Sequence, residues 1–291
     1  MKFPGLEYFA PETVQEALRL LIEKGDGAYV LAGGTDLVVK MTHGLLTPKA
    51  IIDLKKIRGL NEIRLDGKEG LTIGATALLA DVASHPGIIK NYPAIAYAAQ
   101  NTANVQIRNM GTVAGNLCNA APSADNAPTL MAMGAKATLV SVAGERQLPL
   151  DQFFEGPGLT AMRPGTIMTS IFIPHPPPKS GASYKHLSAR SRVDISAVCV
   201  GAMLTMDGET CKEGRIALGA VAPTPMRATK AEAVICGQKL TEKTMSEAGK
   251  QASEESRPIS DIRASADYRK KMVAVLTRQA LKEARERALK R

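Results

Sequence analysis

The sequence predicts an α+β protein of two domains, and three observations carry this prediction. In the N-terminal half, segments with helical spacing of apolar residues alternate with short apolar runs typical of buried strands. Residues 174–181 read Pro-His-Pro-Pro-Pro-Lys-Ser-Gly, and three consecutive prolines cannot continue a helix or a central strand. Beyond this break strands come first and helices follow, which favours a sheet with helices on one face. We therefore expect domains over residues 1–175 and 176–291.

The elements of the N-terminal half follow from residue spacing. Between Glu12 and Lys24 apolar residues recur at i, i+3, i+4, i+7 and i+8, which predicts a helix that stops at Gly25. Residues 101–126 are polar, bear glycines and exceed the usual loop length, and long ordered loops are usually functional. The other elements expected here are strands at 29–32, 51–54 and 71–74 and helices at 76–84 and 94–100.

The residue pattern of the C-terminal part predicts two strands followed by three helices. The strands are expected at 195–206 and 215–222, and the helices at 229–236, 245–256 and 265–290. No internal repeat or low-complexity segment is evident in the chain.

Composition excludes several classes of protein. Of 291 residues, 45% are hydrophobic and 22% charged, which is ordinary for a globular protein and excludes wholesale disorder. No stretch is long and apolar enough to span a membrane, and the first residues lack the apolar core of a signal peptide. The four cysteines lie far apart without a CxxC pair, which argues against a disulfide framework or a metal site. We expect a cytoplasmic protein.

The positive charge has two interpretations. The chain has 37 Lys and Arg against 28 Asp and Glu, a formal charge of +9. Nucleic-acid binding is disfavoured because tryptophan is absent and the few aromatic residues are dispersed. The densest basic stretch, 269–291, contains spaced apolar residues, which indicates an amphipathic helix with a solvated basic face. The alternative interpretation is that the positive charge forms a docking surface for an acidic protein or a nucleotide.

The first candidate site is the segment Val30-Leu31-Ala32-Gly33-Gly34-Thr35-Asp36-Leu37. Two adjacent glycines after a buried strand let the backbone turn sharply and let a ligand approach without a Cβ in the way. Successive backbone N–H groups in such a turn suit phosphate oxygens. The alternative is a tight turn in which Thr35 or Asp36 caps the next helix. The segment matches neither the GxGxxG nor the GxxxxGK[ST] pattern, so a Rossmann turn and a P-loop are unsupported.

The second candidate site lies in the long polar loop. Gly111 and Gly115 permit close backbone approach, while Thr112 and Asn116 offer short polar groups. Asp125 offers a carboxylate for a hydroxyl-rich group such as a ribityl or ribose. A loop rich in Asn and Gly also forms ordinary turns. Two glycine-rich turns on either side of a cleft nevertheless suit a long ligand with a diphosphate, and therefore a nucleotide cofactor.

These segments resemble the motifs of a known protein family. AGGTDL at 32–37, IRNMGTVAGNL at 107–117 and APSAD at 121–125 closely resemble the FAD-binding medium subunits of the molybdenum hydroxylases, such as carbon monoxide, xanthine and nicotinate dehydrogenases. The resemblance covers nearly the whole chain. One departure is Ala114, where the family commonly has glycine. The resemblance implies a vanillyl-alcohol-oxidase (PCMH) type FAD-binding domain of two α/β subdomains, beside a smaller α+β C-terminal domain.

The resemblance also implies roles for individual residues. The backbone of Ala32–Asp36 would cradle the pyrophosphate of FAD, and Gly111–Asn116 would complete the clamp. Lys185 would approach the isoalloxazine, where a cation raises the potential of a flavin that is anionic when reduced; without the resemblance it is equally a solvated strand lysine. Thr102 and Ala103 would lie at the flavin end, Asp125 would hold a hydroxyl, and Met168 would contact the cofactor through its backbone. The full expected cofactor-binding set is Val30, Leu31, Ala32, Gly33, Gly34, Thr35, Asp36, Leu37, Thr102, Ala103, Gly111, Thr112, Ala114, Gly115, Asn116, Leu117, Asp125, Met168 and Lys185.

The function implied is that of an electron-transfer flavoprotein subunit. Electrons would come from [2Fe-2S] centres on a small iron–sulfur subunit and originate at a molybdenum–pterin site on a large subunit. FAD would pass them to an external acceptor such as NAD, a quinone or oxygen. No residue of this chain is assigned acid–base catalysis or a metal, because the cofactor carries the redox chemistry.

Two other functions remain open at this point. A non-redox nucleotide-binding or assembly module could use the same glycine turns, and a self-contained flavin oxidase of related fold could carry its own substrate pocket. The absence of an obvious substrate domain weighs against the oxidase. A subunit like that of 4-hydroxybenzoyl-CoA reductase is disfavoured because no cysteine-rich insertion is present. Hydrolase motifs such as GxSxG and HExxH are also absent.

Overall fold

The computed structural model describes Phe3 and residues 5–190 and 194–290. Within these residues the strands form a three-stranded, a five-stranded and a four-stranded sheet and a two-stranded hairpin. Each of the three larger sheets borders its own large cluster of buried apolar residues. The mixed helix and sheet architecture agrees with the sequence prediction. Among the described helices, none has the length and apolarity required to cross a membrane.

The first subdomain is a small parallel sheet with the strand order β1-β3-β2. Its long helix begins after Thr13, whose side chain accepts a hydrogen bond from the Glu16 N–H, and ends at Gly25 as predicted. Because the strands are parallel, their carboxyl ends meet at one edge, where the segment after β2 begins. The elements are β1 (Glu7–Phe9), α1 (Val14–Lys24), β2 (Ala28–Leu31), α2 (Leu37–Thr42) and β3 (Ala50–Asp53).

The second subdomain is a five-stranded antiparallel sheet with the order β4-β5-β10-β6-β7. Of the strands in this subdomain the sequence predicted β5 and none of the others. The edge strand β7 is mostly exposed and lacks alternation of apolar residues. The strands are β4 (Ile63–Asp66), β5 (Gly70–Gly74), β6 (Lys136–Ser141), β7 (Gly144–Pro149), the hairpin β8 (Phe154–Gly156) and β9 (Leu159–Thr160), and β10 (Ile167–Pro174); the helices before β6 are α3 (Leu79–Ser84), α4 (Pro86–Asn91), α5 (Pro93–Asn101), α6 (Val105–Arg108), α7 (Val113–Cys118) and α8 (Asn126–Ala132).

The segment predicted as an irregular loop, 101–126, contains the short helices α6 and α7. The Asn104 side chain accepts a hydrogen bond from the Ile107 N–H at 2.8 Å, and Thr112 Oγ1 accepts one from the Gly115 N–H at 2.9 Å. Helices of one or two turns are too short for a periodic apolar pattern, so the expectation of a wholly irregular loop was wrong. Their N-cap residues were the available signal.

The C-terminal sheet is an antiparallel meander with the order β11-β12-β13-β14. Helices of the same domain cover one face, as predicted, and α5 and α8 of the N-terminal part pack against the sheet from the other side. The predicted strand at 215–222 actually begins at Thr210, because its polar first half pairs with β12 across a hairpin. The elements are β11 (Ser180–Ser188), β12 (Ser196–Asp207), β13 (Thr210–Gly219), β14 (Met226–Arg227), α9 (Thr229–Ile235), α10 (Glu242–Glu255) and α11 (Ala266–Leu289); Arg291, the end of the predicted basic stretch, lies outside the described residues.

Two glycines let the C-terminal sheet contact α8 directly, forming an interdomain seam of Pro128, Gly201 and Gly219. A Cβ on Gly201 would lie 2.4 Å from the carbonyl oxygen of Pro128. A Cβ on Gly219 would lie 2.6 Å from Cys199 Sγ and 2.9 Å from Pro128 Cγ. The backbone of β12 therefore packs against the helix with no room for a side chain, which fixes α8 relative to the C-terminal sheet.

Gly201→Ala is expected to lower the free energy of unfolding by about 1–3 kcal/mol, the usual cost of overpacking a closed interior. No rotamer change relieves the contact, because the clashing atom belongs to the backbone of α8. Urea denaturation measures the effect. Gly67→Ala is the matched control, since an added Cβ there meets nothing within 4 Å; equal stability of the two variants would contradict a tightly packed seam.

Candidate functional site

A central cleft of about 610 Å³ lies between the carboxyl edge of the parallel sheet and the helices α6–α8. Asp194 and Ile195, which precede β12, also line it. The structure brings together most of the residues that the sequence singled out. Those lining the cleft are Leu31, Ala32, Gly33, Gly34, Thr35, Asp36, Leu37, Thr102, Ala103, Gly111, Thr112, Gly115, Asn116 and Asp125.

The two glycine segments, named here the first turn (32–36) and the second turn (110–116), touch through their backbones. A Cβ on Gly33 would lie 2.3 Å from the Met110 carbonyl oxygen and 2.7 Å from Gly111 Cα. Gly34 has φ +74°, a conformation that glycine adopts without strain. Glycine at 33 is thus required first by the contact between the two turns, a constraint that the sequence did not reveal.

The first turn presents backbone donors. In the described part of the chain, the N–H groups of residues 33–36 have no protein acceptor, because this segment belongs to neither β2 nor the hydrogen-bonded body of α2. Unsatisfied N–H groups in a tight turn form an anion-binding concavity. A Cβ at position 33 would also fill the space where the turns meet. The donor set and the glycine geometry therefore fit the diphosphate of a nucleotide cofactor.

The charged side chains of the cleft are mostly acidic. Asp36, Asp125 and Asp194 line it, and Lys40 is the cation among its described lining residues. Lys40 Nζ donates a hydrogen bond to Asn119 Oδ1 at 2.8 Å and so bridges α2 to the end of α7. Burial raises the pKa of the Asp36 carboxyl, and the ammonium of Lys40 partly opposes this shift. The sequence analysis missed Lys40, although it lies one helical turn after Asp36.

Asp125 is held by the C-terminal domain. Its Oδ1 accepts hydrogen bonds from the Tyr184 hydroxyl at 2.8 Å and from the Ser196 hydroxyl at 2.6 Å. The His186 ring stacks on Tyr184 with 5.7 Å between centroids, and its Nδ1 lies 3.5 Å from Ser196 Oγ. Burial raises the pKa of the Asp125 carboxyl, whereas the Ser196 and Tyr184 hydrogen bonds lower it. Sequence reasoning missed these partners because they lie far from Asp125 along the chain.

The side chain of the next residue, Asn126, connects two segments of the second subdomain that line the cleft. Its Nδ2 donates to Thr102 Oγ1 and to Asn116 Oδ1, each at 3.1 Å. Arg108 donates to the carbonyl oxygens of Thr102 at 3.1 Å and Ala103 at 2.7 Å. Ala103 has φ +49°, a strained conformation for a residue with a Cβ, and these hydrogen bonds hold it in place. The loop end predicted to face a flavin is therefore fixed in shape.

Four predicted residues support the cleft from behind without lining it. Val30 lies in β2 and packs against the core of the first subdomain. Ala114, Leu117 and Met168 are buried in the core of the second subdomain. Ala114 has no positive φ, so its methyl group causes no backbone strain at the position where the family commonly has glycine.

Lys185 lies on the opposite face of β11 from Asp125. Successive side chains of a strand alternate between faces, so Tyr184 reaches Asp125 while Ser183 and Lys185 reach α11. Lys185 Nζ lies 2.7 Å from Glu283 Oε2, to which the Ser183 hydroxyl also donates at 2.6 Å. The structure does not bring Lys185 to the central cleft, and its role beside a flavin stays a prediction against which this ion pair argues.

Cys118 is the cysteine that lines the cleft, and its Sγ lies 3.7 Å from the sulfur of Met162. Burial raises the pKa of its thiol to about 12, which disfavours the nucleophilic thiolate. Across the described residues, no three His, Cys, Asp or Glu side chains gather in a group that could hold a metal ion.

Family comparisons agree with this geometry over both domains. The family described as the FAD binding domain in molybdopterin dehydrogenase matches residues 3–176, and the CO dehydrogenase flavoprotein C-terminal domain matches residues 182–284. The carbon monoxide dehydrogenase medium chain of Afipia carboxidovorans is 34% identical over 286 residues, 98% of this chain and 99% of that one. The xanthine dehydrogenase FAD-binding subunit of Escherichia coli is 30% identical over 283 residues, 97% of each chain.

The similarity extends to a solved structure. Carbon monoxide dehydrogenase from Hydrogenophaga pseudoflava, in a form lacking the Mo-pyranopterin moiety of the molybdenum cofactor, matches with a TM-score of 0.94 and 33% identity. The match covers 99% of this chain and 99% of that one. The similarity thus extends over nearly the whole chain, and this chain belongs to the FAD-binding medium subunits of the molybdenum hydroxylases.

Proposed function

We propose that this chain binds FAD in the central cleft and acts as the electron-transfer flavoprotein subunit of a multi-subunit molybdenum hydroxylase. The observation that carries the proposal is the pair of glycine turns in backbone contact, of which the first leaves its N–H groups without protein acceptors. A dinucleotide supplies the diphosphate that such donors prefer.

Each part of the cleft has a proposed task. The N–H groups of residues 33–36 bind diphosphate oxygens, and Lys40 adds positive charge to a mostly acidic wall. Thr102 and Ala103 form the wall beside the flavin. Asp125 accepts a hydrogen bond from a hydroxyl of the cofactor. Thr112, Gly115 and Asn116 complete the clamp, while Val30, Ala114, Leu117 and Met168 hold its backbone.

The chemistry of the proposed function is shared with partner chains. When bound, FAD supplies a redox centre that exchanges electrons with one-electron and two-electron partners. We propose [2Fe-2S] centres on a small subunit as the donors and a large subunit with a molybdenum–pterin site as the source of the electrons. The external acceptor is NAD, a quinone or oxygen, and the proposed compartment is the cytoplasm. The domain division proposed at residues 175 and 176 falls in the proline run between β10 and β11.

The purified protein is expected to be yellow and to release FAD rather than FMN on denaturation, because the two turns together suit a diphosphate. Chromatography of the released flavin identifies it. Release of FMN alone, or a folded protein without flavin even after incubation with FAD, would refute the proposed cofactor and favour a non-redox assembly module.

Gly33→Ala is expected to weaken FAD binding by about tenfold, the free-energy equivalent of a modest overpacking strain. The new Cβ would meet backbone atoms of Met110 and Gly111, so the two turns must separate. Titration of flavin-free protein with FAD measures the change. Gly67→Ala, where the added Cβ meets open space, is the control; if both variants bind FAD like the wild type, the contact between the turns does not shape the cofactor site.

The flavin of this chain is expected to be reduced by an organic substrate only when the partner subunits are present. Protein isolated from its native source should co-purify with iron–sulfur and molybdenum-containing chains, which visible spectra and metal analysis detect. Rapid anaerobic bleaching of the isolated yellow chain by a small organic substrate would instead identify a self-contained flavin oxidase.

A further inference from the structure

Asp125 receives both of its side-chain donors from the C-terminal domain. The Tyr184 hydroxyl of β11 and the Ser196 hydroxyl of β12 donate to the same oxygen, Oδ1, at 2.8 and 2.6 Å. Among the described residues no donor is bonded to the other oxygen, Oδ2, although Asp125 lines the central cleft. Oδ1 of the carboxylate therefore forms the interdomain contact, and Oδ2 is available to a ligand.

We propose that Tyr184 and Ser196 are positioning residues of the cofactor site, which favour the charged form of Asp125 and orient Oδ2 toward a hydroxyl of the bound FAD. This inference rests on the proposed function. It assigns to the C-terminal domain a part in cofactor binding that acts through Asp125, from the face of β11 that carries Tyr184 rather than from the face that carries Lys185.

The burial of this cluster makes its hydrogen bonds consequential. Asp125 is 8% exposed, Tyr184 is 1% exposed and Ser196 is 2% exposed. A buried carboxylate without donors carries a large desolvation penalty, and charge-assisted hydrogen bonds from hydroxyls offset it. Removal of one donor therefore shifts Asp125 toward its protonated form, which is a weaker acceptor for a ligand hydroxyl.

The position of Asp125 depends on the same domain contact. Asp125 immediately precedes α8, whose Pro128 packs against Gly201 of β12. The next residue, Asn126, reaches Thr102 and Asn116 on the opposite side of the cleft wall. Hydrogen bonds of Asp125 therefore hold the start of α8 to the C-terminal domain, and those of Asn126 hold it to its own domain. A change at Tyr184 or Ser196 consequently alters the position of Asp125 in the cleft directly.

Several titratable groups surround Asp125 and set the direction of its pH response. Burial raises the pKa of Asp125, and hydrogen bonds from Ser196 and Tyr184 and the charge of His186 lower it. Burial raises the pKa of the Cys199 thiol of β12, and the nearby charge of Asp125 raises it further. Asp36 and Asp194 line the same cleft. Loss of either hydroxyl donor consequently raises the pKa of Asp125, because the donors favour its charged form.

The test is FAD binding to flavin-free protein by the wild type, Tyr184→Phe and Ser196→Ala. Tyr184→Phe keeps the ring that stacks on His186 and removes only the donor. Each variant is expected to bind FAD about three- to tenfold more weakly at neutral pH, in line with the net value of a typical intramolecular hydrogen bond. Ser183→Ala is the matched control, because it removes a β11 hydroxyl that donates to Glu283 on the far side of the strand.

The pH profile separates positioning from a general loss of stability. Wild-type affinity should fall as the pH drops through the pKa of Asp125, and this fall should begin at higher pH in Tyr184→Phe and Ser196→Ala but not in Ser183→Ala. In Asp125→Asn the profile should lose this titration, and adding Tyr184→Phe should not restore it. Thermal unfolding of the flavin-free variants checks the fold, and if Tyr184→Phe fails to fold, Ser196→Ala decides.

The two possible failures are distinguishable. A folded wild type that binds no FAD at any pH refutes the proposed function. A wild type that binds FAD, together with Tyr184→Phe and Ser196→Ala variants that match Ser183→Ala in affinity and pH profile, refutes the positioning role alone.

Discussion

The contact between the two glycine turns is the constraint on which the rest of the site depends. Gly33 approaches Met110 and Gly111 so closely that a single added carbon would overlap backbone atoms. This contact joins the edge of the parallel sheet to the helices of the second subdomain, and the central cleft lies along the line where they meet. Backbone N–H groups rather than charged side chains are the groups proposed to bind the diphosphate, since most ionisable groups in the wall are carboxylic acids.

The start of α8 is the second fixed point of the molecule. Asp125 and Asn126 are consecutive, yet their side chains point in different directions. Asp125 accepts a hydrogen bond from the C-terminal domain, and Asn126 donates one to Thr102 in the cleft wall of its own domain. These buried hydrogen bonds fix the start of α8 both to the C-terminal domain and to the cleft wall of its own domain. The glycine-lined seam at Pro128 excludes other packing distances for the same helix.

Strand alternation decides which residues of the C-terminal domain contribute to the cleft. Tyr184 and Lys185 are adjacent, but the first hydrogen-bonds Asp125 and the second pairs with Glu283 of α11. Glu283 is held by Lys185, Ser183 and Arg287, and these partners lower the pKa of its carboxyl below the ordinary value. The cation that electrostatics favours near a reduced flavin is thus already engaged elsewhere. The hydroxyls of Tyr184 and Ser196 reach the cleft wall through Asp125, while Asp194 and Ile195 line the cleft themselves.

Much of this protein follows from local sequence. Helical spacing and the Gly25 stop predict α1, and the two glycine segments mark the cleft because glycine allows sharp turns and close backbone approach. The family follows from the order and spacing of those same segments. The strands β6, β7, β10 and β11 and the short helices α6 and α7 escaped prediction. Neither a polar edge strand such as β7 nor a helix of one or two turns has a periodic apolar pattern. Lys40 went unrecognised because its place beside the turn depends on the direction of α2.

Only the tertiary structure decided the partners of Asp125 and Lys185. The residues that bond Asp125 lie 59 and 71 positions away along the chain, and no local pattern encodes which strand face will meet which helix. A shift of one residue in the register of β11 would exchange Tyr184 and Lys185 between the two faces. The sequence by itself therefore determined the two glycine turns and the helix α1 with its stop at Gly25, because these depend on the conformational preferences of neighbouring residues, and it identified the family from the order of its motifs. Folding decided which side chains share the cleft, because that depends on packing between elements distant in sequence.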